Sequence, residues 1–214
     1  MQPIPILVFD LDGTISDPAV GIRRSINYAL ESFNHRPILE DEVSQYIGPP
    51  LELSFAKITG LSSELHILDL ISKYRERYAE IGFSENVLYP GISEVIEELS
   101  LARIPLGLCT QKLPAFAEKI LKFFGLLEHF HFISGGEVVI SKAHQLKSAL
   151  AATKISDRAT MIGDRAIDIE AAKFNGLSSA GVLWGHGTLC ELSNAKPDFL
   201  FSAPHEIYRL IKRE

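Results

Sequence analysis

The hydrophobic pattern of this chain changes period twice. It opens with a short apolar run, Ile6–Phe9, that stops at Asp10. An unbroken apolar run closed by turn residues predicts a strand buried on both faces. The period then becomes helical. Asp17-Pro18 opens a helix, because Asp can accept from the free amides and Pro suits the first helical position. Ala19, Ile22, Ile26, Ala29 and Phe33 follow at helical spacing, and His35-Arg36-Pro37 ends the run. A short helix is predicted over residues 41–46, a loop over Ile47-Gly48-Pro49-Pro50, and another helix over Leu51–Ile58, ended by Gly60. Ser62 opens a long helix whose apolar stripe is Ile67, Ile71, Tyr74, Tyr78 and Ile81. Lys73, Arg75, Glu76, Arg77 and Glu80 lie on its other faces, and Gly82 closes it. Between Thr14 and Phe83 the pattern predicts only helices and loops.

Beyond a joint at Tyr89-Pro90-Gly91, strands and helices alternate. Ile92, Val95, Ile96 and Leu99 form one helix face, and Pro105–Cys109 reads as a strand. Then come a helix over Leu113–Phe124, a strand over His131–Ser134, and a helix over Lys142–Ala152 carried by Ala143, Leu146 and Leu150. A strand over Ala159–Ile162 and a helix over Ala166–Phe174 follow. Strands over Ser179–Leu183 and Asp198–Phe201 precede a last helix over Pro204–Lys212. Alternation of this kind predicts a parallel sheet with helices on both faces. The expected fold is α/β: a Rossmann-like three-layer core over residues 1–13 and 84–214, with a helical cap domain inserted over 14–83. No repeats and no low-complexity tract interrupt it.

Composition adds exclusions. The 214 residues are 46% hydrophobic and 22% charged, ordinary for a soluble globular protein, and suffice for one large or two small domains. A net charge of −6 argues against a nucleic-acid binder, which usually carries a basic face. It leaves an anionic substrate open, since local lysines and a metal override global charge. Cys109 and Cys190 lie far apart and form no metal-like or redox pair, so both are expected as buried free thiols in a reducing compartment. No run of roughly 18 apolar residues predicts a membrane span. No signal peptide is evident either, and a cytoplasmic protein, monomeric or homodimeric, is the expectation.

The chemistry is concentrated where strands end. In an open α/β sheet, ligands bind beyond the carboxyl ends of the strands. Asp10 and Asp12 sit there, two residues apart on an extended chain and therefore on the same side. Carboxylates held that close repel unless a cation or a shared proton relieves them. The next strand ends at Thr110-Gln111-Lys112, and Lys142 begins the helix after the third. The fourth strand ends at Gly163-Asp164-Arg165, with Asp168 one helical turn on. If the helix began at once, Asp164 and Asp168 would share a face. Together these make a pocket of up to four carboxylates, a hydroxyl and a lysine. Hard oxygen donors suit Mg²⁺, which keeps waters for a substrate phosphate. A lysine and a hydroxyl beside it suit the equatorial oxygens of a transferring phosphoryl group.

Asp10-Leu11-Asp12-Gly13-Thr14 resembles the first motif of the haloacid dehalogenase superfamily. Thr110, Lys142 and Gly163-Asp164-Arg165-Ala166-Ile167-Asp168-Ile169 are similar to its other three motifs, in order. The resemblance covers nearly the whole chain, the inserted helical cap included. Within it, Glu85–Ile92, Gly163-Asp164-Arg165 and Gly181–Gly185 resemble phosphoglycolate phosphatase-like enzymes and their 5′-nucleotidase relatives. The resemblance implies a phosphatase acting on a small phosphorylated metabolite, phosphoglycolate-like, with a 5′-nucleotidase or a sugar-phosphate phosphatase as the alternatives. It implies that Asp10 is the nucleophile and that Asp12 is the acid, then the base. Mg²⁺ would be held by Asp10, the backbone carbonyl of Asp12 and Asp164, with Asp168 as a further or water-mediated ligand. Thr110 and Lys142 would hold the phosphoryl oxygens. An acid at position 12 sets the chain apart from the dehalogenase branch. Gln111 stands where relatives commonly carry Asn.

The remaining candidates are less specific. Lys112 reads as a substrate contact or a solvated charge, and Gln111 as a substrate-binding residue beside Thr110. Lys147 and Lys154 rival Lys142 but lie further from the strand end. Arg23, Arg24 and the Ile47–Pro50 loop are the cap positions suited to selecting substrate, because a guanidinium fork matches a carboxylate or second phosphate. The seven histidines show no metal spacing. His186, beside Trp184-Gly185, is the one expected to border the site, and Trp184 and Tyr89 are expected to pack. Besides phosphatases, a phosphomutase shares the phosphoaspartate step. A receiver-like sensing module also clusters Asp, Thr and Lys on an α/β sheet, but would be shorter and uncapped.

Overall fold

The computed structural model describes residues 6–136, 140–152 and 154–211. Among the described residues six parallel strands form one sheet: β1 (Leu7–Phe9), β2 (Leu106–Cys109), β3 (Phe130–Ser134), β4 (Thr160–Gly163), β5 (Ser178–Val182) and β6 (Phe199–Phe201). Their spatial order is β3-β2-β1-β4-β5-β6. The chain therefore winds outward from β1 in one direction, returns, and winds outward in the other. That reversal leaves a crevice at the carboxyl end of β1, where α/β sheets bind ligands. The register aligns Phe9 with Leu108 on one side and with Ile162 on the other, so β2 and β4 end one residue beyond β1 and the three ends lie side by side.

Both faces of the central strands β1, β2 and β4 are buried. Val8, Cys109, Phe132 and Met161 point to one face and join Leu146 and Ala149 of α6 (Lys142–Ala151) and Ala171 and Ala172 of α7 (Ala166–Phe174) in one apolar cluster. Leu7, Phe9, Leu108 and Ile162 alternate with them and are also fully buried. The core further carries α4 (Ile92–Leu101), α5 (Pro114–Phe123) and α8 (Leu189–Ala195). The four residues predicted for the α4 face are all buried.

Residues Pro18–Val87 form a second compact unit, inserted after a two-residue strand, Ser16–Asp17, that lies where the pattern predicted only helices and loops. It contains α1 (Ala19–Ser32), α2 (Leu51–Thr59) and α3 (Glu64–Glu80). Ile22, Ile26, Ala29 and Leu30 of α1 and Ile67, Leu70, Ile71, Tyr74 and Tyr78 of α3 make its core. Glu85 receives Arg77 at 2.9 Å and Arg24 at 2.7 Å within the same unit. The boundaries fall at 17/18 and 87/88.

Several expectations need correction. Ile81 is 47% exposed, because the helix ends at Glu80 and Ile81 leaves the helical angle at φ −132°; Leu70 takes the buried place beside Ile71. Leu30 joins the α1 face, while Phe33 is only half-buried. Pro18 occupies the cap position of α1, not its first turn, and Asp17 reaches His186 Nε2 at 3.2 Å. The last helix is a 3₁₀ segment, Pro204–Leu210; Lys212 lies outside the described residues. Helix α8 was not expected: Thr188 caps it by accepting from the Glu191 amide at 3.1 Å. Cys109 is buried but Cys190 is exposed. Among the described residues no helix is long and apolar enough to cross a membrane.

Candidate active site

The site starts from the turn after β1. The Leu11 carbonyl accepts from the amides of Ile15 and Ser16, at 2.9 and 3.1 Å, and the Gly13 amide donates to the Ser16 carbonyl at 2.8 Å. Gly13 adopts φ +85°, a conformation that glycine takes freely. A second reason for glycine is proximity: a Cβ here would lie 2.2 Å from Asp164 Oδ2. Opposite, a Cβ on Gly185 would lie 2.2 Å from the Gly13 carbonyl and 2.4 Å from the Asp164 Cβ. Two glycines thus let the turn after β1 and the loop after β5 close on the Asp164 carboxylate. Gly13→Ala is expected to lower the melting temperature and to reduce turnover at least about 100-fold, because the added Cβ must displace the Asp164 carboxylate. Turnover and stability equal to the wild type would show the close approach to be dispensable.

Asp10 leaves β1 with its Oδ1 accepting the Leu11 amide at 2.8 Å and its Oδ2 facing Lys142 Nζ at 2.9 Å. Lys142, the first residue of α6, is only 1% exposed and also donates to Asp168 Oδ1. Asp168 Oδ2 accepts the Arg165 amide at 3.1 Å, which fixes the start of α7. Asp164 does not share a helical face with Asp168, because α7 begins only at Ala166. It reaches the same place from the end of β4, and its Oδ2 accepts the amides of His186 at 2.8 Å and Gly187 at 3.3 Å. One carboxylate oxygen each from Asp10, Asp164 and Asp168 lie within 4.8 Å of one another.

This crowding shows in the ionisation. Burial raises Asp168 and Asp164 above the usual carboxylate range, and the neighbouring carboxylates push the same way. Burial alone would lower Lys142, but Asp10 and Asp168 outweigh it and hold the ammonium charged. Asp164 Oδ1 is buried and has no hydrogen-bond partner among the described residues. A buried, unpartnered carboxylate oxygen beside two more carboxylates is unfavourable without a cation. The donors are all hard oxygens, as Mg²⁺ requires, so these residues fit that ion.

Asp12 stands apart from that trio. Its Oδ2 pairs with Lys112 Nζ at 2.8 Å, and its Oδ1 is buried without a partner among the described residues. Burial raises Asp12 above its ordinary value, and Lys112 opposes the shift. Thr110 is buried at the end of β2, and its Oγ1 accepts the Lys112 amide at 3.2 Å. Gln111 Nε2 donates to Gln145 Oε1 at 3.1 Å, and Gln145 Nε2 donates to the Thr110 carbonyl at 3.2 Å. Gln145, one turn after Lys142 on α6, therefore ties the loop after β2 to the helix that carries the lysine.

The core thus brings Asp10, Asp12, Thr110, Gln111, Lys142, Asp164 and Asp168 to adjoining strand ends. Arg23 belongs to the helical unit, where it faces Glu40 at 3.8 Å, and Arg24 is engaged with Glu85. His186 contributes its backbone amide to Asp164. Trp184 Nε1 donates to the Thr14 carbonyl at 3.0 Å. Sequence reasoning missed Gln145 and the partner of Lys112. The spacing Lys142-x-x-Gln145 was the available signal for the first, since residues three apart share a helix face.

Residues 7–182 match a family model described as haloacid dehalogenase-like hydrolase. A 5′-nucleotidase of Pseudomonas aeruginosa is 34% identical over 198 residues, covering 90% of this chain and 89% of that protein. A phosphoglycolate phosphatase of Vibrio parahaemolyticus is 28% identical, covering 98% and 97%. The solved structure of a haloacid dehalogenase-like family hydrolase from Streptococcus pneumoniae is similar with a TM-score of 0.89 at 29% identity, covering 99% of this chain and 100% of that one.

Proposed function

This chain belongs to the haloacid dehalogenase-like hydrolase family, and from that premise we propose that it is a Mg²⁺-dependent phosphomonoesterase acting on a small, phosphoglycolate-like substrate through a phosphoaspartate on Asp10. The observation that carries this reading is the convergence of Asp10, Asp164 and Asp168, bridged by Lys142, while Asp12 is held separately.

Each residue takes a part. An Asp10 carboxylate oxygen attacks phosphorus, and the bond from phosphorus to the alcohol oxygen breaks. Asp12 gives its proton to that departing oxygen. Asp12 then takes a proton from water, the water oxygen attacks the phosphoaspartate phosphorus, and the bond to Asp10 breaks to release phosphate. Splitting one displacement into two lowers each barrier. Lys142 and Thr110 hold the phosphoryl oxygens, and Lys142 shields Asp10 from the incoming anion. Asp10 and Asp164, with Asp168 and the Asp12 carbonyl, would hold Mg²⁺, which when bound neutralises charge on the phosphoryl group. Arg23 and Arg24 of the helical unit are the proposed contacts for the remainder of the substrate.

The 34% identity to a 5′-nucleotidase favours a second substrate reading, a nucleoside monophosphate. A screen of phosphorylated metabolites with Mg²⁺, read as released phosphate, separates the two. No turnover of any of them would leave a phosphate-binding module. Removing divalent ions with a chelator is expected to lower turnover at least about 1000-fold, and adding Mg²⁺ back to restore it. The same addition should raise the melting temperature of the chelated protein, because an ion bound only by the native state stabilises it. Unchanged turnover in chelator would sink the metal assignment.

A further inference from the structure

We infer that Lys112 is a positioning residue for the proton-transfer carboxylate: its ammonium anchors one oxygen of Asp12 so that the other is presented to the departing alcohol. The inference rests on the phosphatase reading, and it gives Lys112 a part separate from that of Lys142.

The geometry is specific. Lys112 Nζ lies 2.8 Å from Asp12 Oδ2, and the two side chains are only 8% and 14% exposed. An ion pair so enclosed is much less screened than a surface pair, and it restricts the carboxylate. The backbone from which Lys112 reaches is itself held on both sides. Its amide donates to Thr110 Oγ1 at 3.2 Å, and its carbonyl accepts the Gly136 amide at 2.8 Å. Asp12 starts from the tight turn after β1. Both ends of the pair are thus fixed to the ends of strands that are neighbours in the sheet.

The two oxygens of Asp12 differ. Oδ2 is taken by Lys112, whereas Oδ1 is buried and unpartnered among the described residues. An Asp12 carboxyl group with one oxygen anchored and its proton on the other meets the departing oxygen in a set orientation. With the anchor removed, the carboxylate turns about its χ angles, and fewer of its orientations face the leaving oxygen. The two lysines therefore divide the acidic site: Lys142 serves Asp10 and Asp168, and Lys112 serves Asp12.

The consequence depends on the leaving group. Nitrophenolate departs without a proton, whereas an alkoxide is too basic to leave unprotonated at neutral pH. The readout is alcohol release in a single turnover, which isolates the first step from hydrolysis of the phosphoenzyme. Lys112→Met is expected to slow release from β-glycerol phosphate at least tenfold and from p-nitrophenyl phosphate less than threefold. Lys112→Arg should recover most of the loss, since it restores the cation. Melting temperatures confirm that the variants are folded. A merely structural lysine would slow both substrates alike, and that outcome, or no slowing of either, overturns the inference. Asp12→Asn run beside them separates the failures. If it shows the leaving-group selectivity and Lys112→Met does not, only the role of Lys112 falls. If Asp12→Asn shows none, the acid assignment falls and the inference with it.

Discussion

Asp10→Asn is expected to reduce hydrolysis of p-nitrophenyl phosphate by roughly 10⁴-fold or more while leaving the protein folded. The amide is nearly isosteric with the carboxylate but lacks the anionic oxygen that attacks phosphorus. Its effect on stability is expected to be small, because two contributions oppose each other. Lys142 loses one of its two carboxylate partners but keeps Asp168. In exchange, one charge leaves a group of carboxylate oxygens that lie within 4.8 Å of one another, which relieves like-charge repulsion. Circular dichroism and thermal melting check the fold, phosphate release checks turnover, and trapping of acid-stable or hydroxylamine-sensitive phosphate on the protein checks the covalent step. The wild type should show labelled phosphoenzyme and the variant none. More than about 1% of wild-type turnover in the variant would reject Asp10 as the nucleophile.

The parts of the fold that were legible in the sequence are those governed by a single local rule. The apolar run Ile6–Phe9, closed by turn residues, reads as a buried strand, and its Leu7–Phe9 forms β1 inside the sheet. Helix α2 ends at Gly60 because Gly60 takes the left-handed cap, φ +69°. Boundaries that depend on two competing signals were less legible. Pro204 suits a helical first turn, and the sequence carries no local signal that separates an α-helix from the 3₁₀ segment that Pro204–Leu210 forms. Helix α8 was missed because Leu189–Ala195 spans barely two turns, too few to sustain an apolar period; Thr188-x-x-Glu191 was its available start signal. The site was legible in its carboxylates and Lys142, since charged residues at the ends of apolar strands have few structural uses. The Lys112–Asp12 pair was not legible: it joins residues 100 positions apart whose proximity comes from strand register, and no local pattern encodes that. The same is true of the His186 and Gly187 amides on Asp164, which depend on how the loop after β5 meets the end of β4.

The second large effect concerns Lys142→Met. Methionine nearly matches the lysine stem in volume, so packing is conserved and the change is mainly one of charge. Lys142 is buried and bridges Asp10 and Asp168, so its removal leaves two carboxylates in a low-dielectric site without their cation. Breaking a buried pair by deleting one partner costs about 3–5 kcal/mol. For a chain of this size, about 2–4 °C per kcal/mol converts that to a fall of roughly 6–20 °C in melting temperature without divalent ions. Activity should fall by about 1000-fold, because a preorganised charge aimed at the phosphoryl oxygens is lost. Mg²⁺ separates the two effects. Lys142 competes electrostatically with a cation for the Asp10 oxygens, so deleting it should strengthen metal binding even as it weakens the fold. The rise in melting temperature between chelator and Mg²⁺ is therefore expected to be larger in the variant than in the wild type. Turnover should stay low in the same Mg²⁺, because a second cation cannot replace the ammonium that held the phosphoryl group. Melting curves with and without Mg²⁺, paired with phosphate release, test both halves. A variant as stable as the wild type in chelator would mean that the carboxylates are neutralised by protons instead of by Lys142. Near-normal turnover in Mg²⁺ would remove Lys142 from the phosphoryl site and leave it only as a strut between α6 and α7.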